Sequence, residues 1–486
     1  MSLPQRTGIL DGRNLPVAWI GLASALLGLA AFVISKREAF DWALALVEIP
    51  ARSLAFGLAG GGLRFLAVLP LVRATAIADA DLQRRLIVLV VGVGILLRLM
   101  MLPTEPMLED DQQRYLWEGG LVAHGISPYR VSPNDAKQAD RASALGQLAE
   151  AAGPVLDRVN HPQLKTIYPP VAMATFALAH WMAPFNLTAW RLLLFAAECG
   201  TLALMLTLLR DSGRPLIWSV LYWWNPIAIK EIANSGHMEG VLLPLLLAAL
   251  LLTARRRPVA AMAALGFAVG VKVWPVLLAP LLLRPWLGRA RTLATAGLVL
   301  MVLCFAWAVP IWLGGLDSRS GFVAYAGDWQ ANSALLPTLR DMVMKPMLTA
   351  LSLPDAYAGQ LARALLAAVA AVAAIVLAWR SPRDTFDLMQ RAAAITLVLV
   401  LVSPAQFPWY MLWTLPLLPF APRFGVAAMA VTLPLYYLSF YFSAHGAYGV
   451  FRDQVVWLIW VPIWILLALE PRAPREQATR VAPSSD

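Results

Sequence analysis

The stretch ALLAAVAAVAAIVL, Ala364 to Leu377, runs for fourteen residues without one polar side chain. Extended to Gly359 and Trp379 it reaches 21 residues, and about 20 apolar residues in a helix cross the hydrocarbon of a bilayer. Lipid offers no partner to backbone N–H and C=O groups, so only helices and closed barrels span it. A barrel would require short strands of alternating polarity, whereas the apolar runs here are long and unbroken. The whole chain agrees: of 486 residues, 59% are hydrophobic and only 14% charged, against about 45–50% and 25% in soluble domains. Mean hydropathy is +0.65. The fold class is therefore all-α, a polytopic membrane protein with lipid as its solvent.

The net charge of +10 does not indicate a nucleic-acid partner. Arg and Lys are clustered between apolar runs, at Arg255-Arg256-Arg257, from Arg284 to Arg291 and around Arg380 to Arg391. That distribution is the positive-inside pattern of cytoplasmic loops. Cys199 and Cys304 lie in separate apolar runs without CxxC spacing, so neither a disulfide framework nor a zinc site is suggested. Met1–Asn14 lacks the form of a cleaved signal, and Leu15–Ile34 is expected to be a retained helix.

Charge also sets the sidedness. Arg73, Arg84 and Arg85 in the cytoplasm place the polar stretch 103–168 outside. Pro258–Leu283 begins and ends beside basic clusters, with Lys272 and Pro275 in its middle, and is expected to be two short helices that dip in and return. If Pro169–Pro184 spanned, every later basic loop would face outward, so it is expected to be an interfacial or re-entrant helix on the external side. The expected organisation is an N-terminal two-helix addition (1–85), a core (86–313) with its external loop 103–168, a second external loop (314–356), C-terminal helices (357–470) and a cytoplasmic basic tail (471–486).

Polar chemistry collects on the external side. The first loop opens with Glu105, Glu109, Asp110 and Asp111, followed by Arg114, Tyr115, Trp117 and Glu118. Adjacent carboxylates resist simultaneous ionisation, so one can hold a raised pKa and act as a general base, or the pair can bind a divalent cation. An acidic external cap is the plainer reading. His161, Lys165 and Tyr168, the loop from Lys230 to Glu239 with Glu231 and His237, and Lys272 add to this face. An ionisable group at membrane depth is a functional candidate by default, with snorkelling as its ordinary explanation. HExxH, P-loop and GxGxxG patterns are absent, which leaves zinc hydrolysis and nucleotide donors without support.

The segment from Asp110-Asp111-Gln112-Gln113-Arg114-Tyr115-Leu116-Trp117-Glu118-Gly119 through His124-Gly125-Ile126-Ser127-Pro128-Tyr129 resembles the DxxRYxWDG…GxxPY stretch of integral-membrane GT-C glycosyltransferases. The resemblance is to their bacterial, mannosyltransferase-like branch that uses polyprenyl-phosphate sugars. Further similar segments follow in order: Tyr168-Pro169-Pro170, Trp224-Asn225-Pro226, Val271-Lys272-Val273-Trp274-Pro275, Gly327 to Asn332, and Ser403-Pro404 with Pro408-Trp409-Tyr410. They cover about Leu86–Phe420. Two departures stand out: Glu118 replaces the Asp of WDG, and Phe407 stands where the family often has His.

The resemblance implies a GT-C-like bundle of roughly 12–14 transmembrane or re-entrant helices, with interfacial helices in the first external loop. It also implies transfer of a hexose, mannose by resemblance, from a polyprenyl-phosphate donor to a lipid or glycan hydroxyl. The setting would be the periplasmic side of a bacterial inner membrane, with membrane lipids and no nucleic acid as surroundings. Asp111, with Asp110 beside it, is the expected base of an inverting displacement. Lys272, Lys230, Lys165, Arg114, Tyr115, Tyr168, His237, Glu239, Trp274 and Trp329 are the expected phosphate- and sugar-binding set. No cofactor is called for, and a divalent cation is left open. The alternatives are a lipid-linked-sugar flippase or transporter, and a non-catalytic subunit of an envelope glycan assembly complex.

Overall fold

The computed structural model describes residues 14–41 and 44–470. Residues 1–13, most of the segment that lacks the form of a cleaved signal, lie outside the described residues, as does the basic tail from Arg472 to Arg480. The described elements are all helical, and the one strand-like contact among them is an isolated bridge between Ala331 and Ala405. The quoted stretch lies in the helix Ala358–Ala378, which buries Ala358, Ala362, Leu366, Ala370, Ala374 and Ala378. That row repeats every four residues, so a stripe of mainly alanine lets neighbouring backbones approach. Leu361, Leu365, Val369, Val372, Ile375 and Val376 face outward, where lipid rather than water must solvate them.

Among the described residues, eight helices are long and apolar enough to cross a membrane, or nine if a bent pair is counted as one span. The other apolar runs are shorter, broken or more highly charged, each for a local reason. The helix Ala80–Met101 has 22 residues but carries Asp81, Arg84, Arg85 and Arg98. The run Pro215–Ile229 is divided into the turn Leu216–Ser219 and the short helices Val220–Trp223 and Pro226–Ala228. The run Trp409–Phe420 is tight 3-10 turns, Pro408–Trp413 and Leu415–Leu417, since Pro408 and Pro416 lack the N–H an α-helix needs. Pro258–Leu283 breaks at its middle: the helix Pro258–Val271 stops at Lys272, whose backbone is extended, and the turn Trp274–Leu278 starts the return.

The bent pair positions much of the site. Pro226–Asn234 and Glu239–Ala254 meet at 119°, and the corner between them holds Gly236 at φ +75°. Only glycine adopts that conformation at little cost, so the corner presents His237 and Glu239 from a fixed turn. Arg191 braces it by donating to the Thr104 carbonyl at 2.7 Å and to the Asn234 carbonyl, tying the start of the first loop to the corner.

Pro170–Met182 is a 13-residue helix, too short to span, and it packs along Asp111–Ala123. A β-carbon at Gly119 would fall 2.4 Å from the Phe176 carbonyl oxygen, so the small residue after Trp117-Glu118 is dictated by the close approach of these helices. Trp117, Leu121, Leu148, Leu156 and Val159 form a separate small core within the first loop region.

A buried ion pair lies inside the bundle. Arg98 meets Glu198 at 2.7 Å, and both side chains are 1% exposed. The guanidinium lies 3.6 Å from the Trp223 ring centroid, and the Tyr222 hydroxyl donates to Glu198 at 3.1 Å.

Candidate active site

A cavity of about 780 Å³ gathers residues that are far apart in sequence. Its polar wall carries Asp110, Asp111, Asn160, Glu239 and Lys272, and its aromatic wall Tyr168, Trp274, Trp329, Trp409 and Tyr410. A third, mostly apolar wall comes from Phe40, Leu44, Leu46 and Ile49 near the start of the chain, opposite Tyr436 and Phe440 near its end.

Asp111 is the first residue of the helix Asp111–Ala123, where the free N–H groups favour a carboxylate. Asn160 holds both acids: its amide donates to Asp110 Oδ1 at 2.7 Å and to Asp111 Oδ1 at 3.0 Å. Burial pushes the Asp111 carboxyl up to about 6, the neighbouring Asp110 charge adds to this, and the Asn160 bond opposes it. Burial likewise raises Asp110, against Asn160 and Arg114. A quarter of the Asp111 side chain stays accessible (25%), so this carboxylate faces the cavity.

Arg114 builds the frame under the acids. It pairs with Glu118 at 3.1 Å, and it donates to the carbonyls of Asn160, His161 at 3.0 Å and Leu164 at 3.3 Å. Thr166 donates to the other Glu118 oxygen at 2.7 Å. Glu118 thus does structural work that its extra methylene reaches, and Arg114 holds the 160–166 loop.

The lysines separate sharply. Lys272 lines the cavity, pairs with Glu239, and lies 4.7 Å from the Tyr410 ring centroid and 5.0 Å from that of Trp413. Lys165 also borders the cavity but ties the 160–166 loop to the 314–317 turn, through Asp317 at 2.8 Å and the Gly314 carbonyl at 3.1 Å, and the Asp317 bond keeps that carboxyl below the usual carboxylate range. Lys230 is not on the cavity wall. It is 2% exposed, 3.4 Å from both Glu109 and Glu231, and bonded to the Tyr437 hydroxyl.

The aromatic residues form packed sets. Tyr115 stacks on Phe176 at 4.7 Å and meets Tyr168 edge-on at 5.2 Å. Trp274 stacks with Trp413 at 5.3 Å, and Trp329 meets His161 at 4.6 Å. Phe407 stacks on Trp409 at 4.3 Å, which stacks on His237 at 4.0 Å. Phe407 therefore supplies a carbon ring that backs Trp409, and Trp409 is the ring that clamps His237. Asn160 is the site residue that sequence spacing did not reveal. It precedes His161, but nothing local connects it to acids 49 residues away.

The model of Glycosyltransferase family 87 matches residues 166–404, about half of the chain. That stretch includes Tyr168, Lys230, His237, Glu239, Lys272, Trp274 and Trp329, and begins after the aspartate pair. The chain is 26% identical over 387 residues to alpha-(1->6)-mannopyranosyltransferase A of Mycobacterium tuberculosis (strain ATCC 25618 / H37Rv), covering 75% of this chain and 70% of that protein. It is 25% identical over 258 residues to the polyprenol-phosphate-mannose-dependent alpha-(1-2)-phosphatidylinositol pentamannoside mannosyltransferase of Mycobacterium tuberculosis (strain CDC 1551 / Oshkosh), covering 52% of this chain and 57% of that protein. No solved structure matches significantly. Together with the all-helical membrane fold, these matches favour an enzyme over the transporter and non-catalytic alternatives: the chain is a membrane glycosyltransferase of the GT-C, mannosyltransferase-like type.

Proposed function

We propose that the protein transfers a hexose, mannose in the first instance, from a polyprenyl phosphate to a hydroxyl of a lipid or glycan acceptor, on the periplasmic face of a bacterial inner membrane. The observation that carries this reading is one cavity joining an accessible, bridged carboxylate to an ammonium and a largely apolar wall. One of the two relatives is named for dependence on polyprenol-phosphate-mannose. The clustering of basic residues between the spans supports a cavity on the side opposite the cytoplasm.

In this reading Asp111 accepts the proton of the acceptor hydroxyl while that oxygen attacks the anomeric carbon. The bond from that carbon to the phosphate oxygen breaks, the anomeric centre inverts, and polyprenyl phosphate leaves with the electron pair. Asp110 and Asn160 fix the orientation of Asp111. Lys272 stabilises the leaving phosphate as its charge grows, because its side chain, though paired with Glu239, stays 21% exposed while those of Lys165 and Lys230 are 5% and 2% exposed. The aromatic wall offers flat apolar faces to the sugar, and the third wall accommodates the prenyl chain. The organisation into an N-terminal addition, a core, a second external loop and C-terminal helices is part of the same proposal, with the first of these contributing that third wall.

The test is transfer from a panel of radiolabelled polyprenyl-phosphate sugars into membrane lipids and glycans. Label should depend on the prenyl-linked donor and appear with one sugar above the others. Lys272→Met should lower kcat/KM by about 10- to 100-fold, the value of one bond to a charged group. Transfer from a nucleotide sugar alone, in membranes unable to make the prenyl donor, would refute the donor assignment.

A further inference from the structure

Beneath Asp111 lies a buried cluster that the proposed reaction does not use. Glu109, Glu231 and His237 are each 6% exposed or less, and one donor atom from each lies within 4.8 Å of the others. His237 Nε2 is 3.5 Å from Glu231 Oε2 and 3.8 Å from Glu109 Oε2. Neither ring nitrogen of this fully buried histidine has a hydrogen-bond partner, although the ring is clamped face-on by Trp409. An imidazole held firmly and aimed at two carboxylates without bonding to either is unusual, since buried polar groups are normally satisfied.

Charge points the same way. Glu109, Glu231 and Asp111 surround His237, with Asp111 Oδ2 3.8 Å from Nδ1. Among the described residues Lys230 is the cation that pairs with Glu109 and Glu231, while Lys272 pairs with Glu239 and Arg114 with Glu118. Within the set, Glu109 and Glu231 face the one ammonium of Lys230, and the more accessible Asp111 stands at its edge, so acid outnumbers base around a buried imidazole, which is costly unless it is neutralised. Lys230 and the Tyr437 hydroxyl both approach Glu109 on Oε1, so Oε2 remains turned to His237.

We propose that Glu109, Glu231 and His237 bind one divalent transition-metal ion. Two carboxylates and an imidazole suit Zn²⁺ or Mn²⁺, and a cation there offsets the excess of acid. Ligands held at about 2.0–2.2 Å from an ion stand no more than about 4.4 Å apart. Both His237–glutamate separations already lie within that limit, and a small inward shift of the glutamates completes the set. The ion would cross-link the start of the first external loop to the corner that presents His237, with Glu109 on the cavity wall and Glu231 and His237 behind it. The proposal does not depend on the donor or the base assigned above.

Tag-free, full-length protein in lipid nanodiscs would be stripped with EDTA, loaded with Zn²⁺ or Mn²⁺, desalted and analysed by mass spectrometry for metal. About one ion per chain is expected to remain in wild type, and at least tenfold less in Glu231→Gln and His237→Ala. Asp111→Asn, adjacent to the set but outside it, should keep the ion even where transfer is lost. Since the ligand variants can misfold, wild type loaded with Co²⁺ gives a second readout, a visible absorption band from an ion bound by nitrogen and oxygen. The proposal is overturned if wild type retains neither ion nor cobalt band, the negative charge then being neutralised by protons. Equal retention in wild type and His237→Ala, or loss of the ion in Asp111→Asn, would overturn the ligand assignment.

Discussion

Asp111→Asn is expected to lower sugar transfer about 10³-fold while leaving the protein folded, because a positioned general base contributes about 10²–10⁴-fold. The amide oxygen of the variant can still accept the Asn160 bond made to Asp111 at 3.0 Å, so thermal unfolding should match wild type. Asp110→Asn should cost only about tenfold, the value of a disturbed bond to a charged partner. Its role is to share Asn160 and set the direction of its neighbour. The comparison requires equal insertion of all three proteins and initial rates with the same prenyl-linked donor. A rate for Asp111→Asn within about threefold of wild type would remove it from the chemistry and move the base elsewhere on the polar wall.

The second prediction concerns stability. Arg98→Met should destabilise the protein by about 3–5 kcal/mol, because it strands the Glu198 charge among apolar neighbours. The double variant Arg98→Met, Glu198→Met should regain most of that loss, since replacing a buried pair by apolar groups of similar volume is often neutral. Thermal unfolding of the purified proteins, read by the loss of monodisperse material, distinguishes the cases. A single variant that unfolds at the wild-type temperature would mean that Glu198 finds protonation or water easily, and that the pair is ornamental.

The two experiments fall on opposite sides of what the sequence could disclose. Hydrophobic runs revealed the helical membrane class because lipid imposes one solution on Ala364–Leu377 and its equals. The break at Lys272 was legible because a lysine and a proline interrupt an apolar run at one place. The number of spans was less legible: tight turns at Pro408 and Pro416 are as apolar as a crossing helix, and hydropathy does not measure pitch. Pairings were not legible at all. Arg98 and Glu198 are 100 residues apart, and Lys230 reaches Glu109 across 121. In sequence Lys230, Lys165 and Lys272 are three equivalent cations beside one face. Only packing shows that the first two are enclosed by partners and that the third opens to the cavity.

The third wall of the cavity has a consequence for how the protein is made. Phe40, Leu44, Leu46 and Ile49 are synthesised long before Tyr436 and Phe440, yet they face one space. A ribosome delivers these surfaces some four hundred residues apart. Throughout that interval the partly inserted chain must carry an unfinished apolar hollow that only bilayer lipid can fill. The cavity therefore cannot take its final shape until the helices that carry Tyr436 and Phe440 have been inserted, so closing this wall is a late step of assembly.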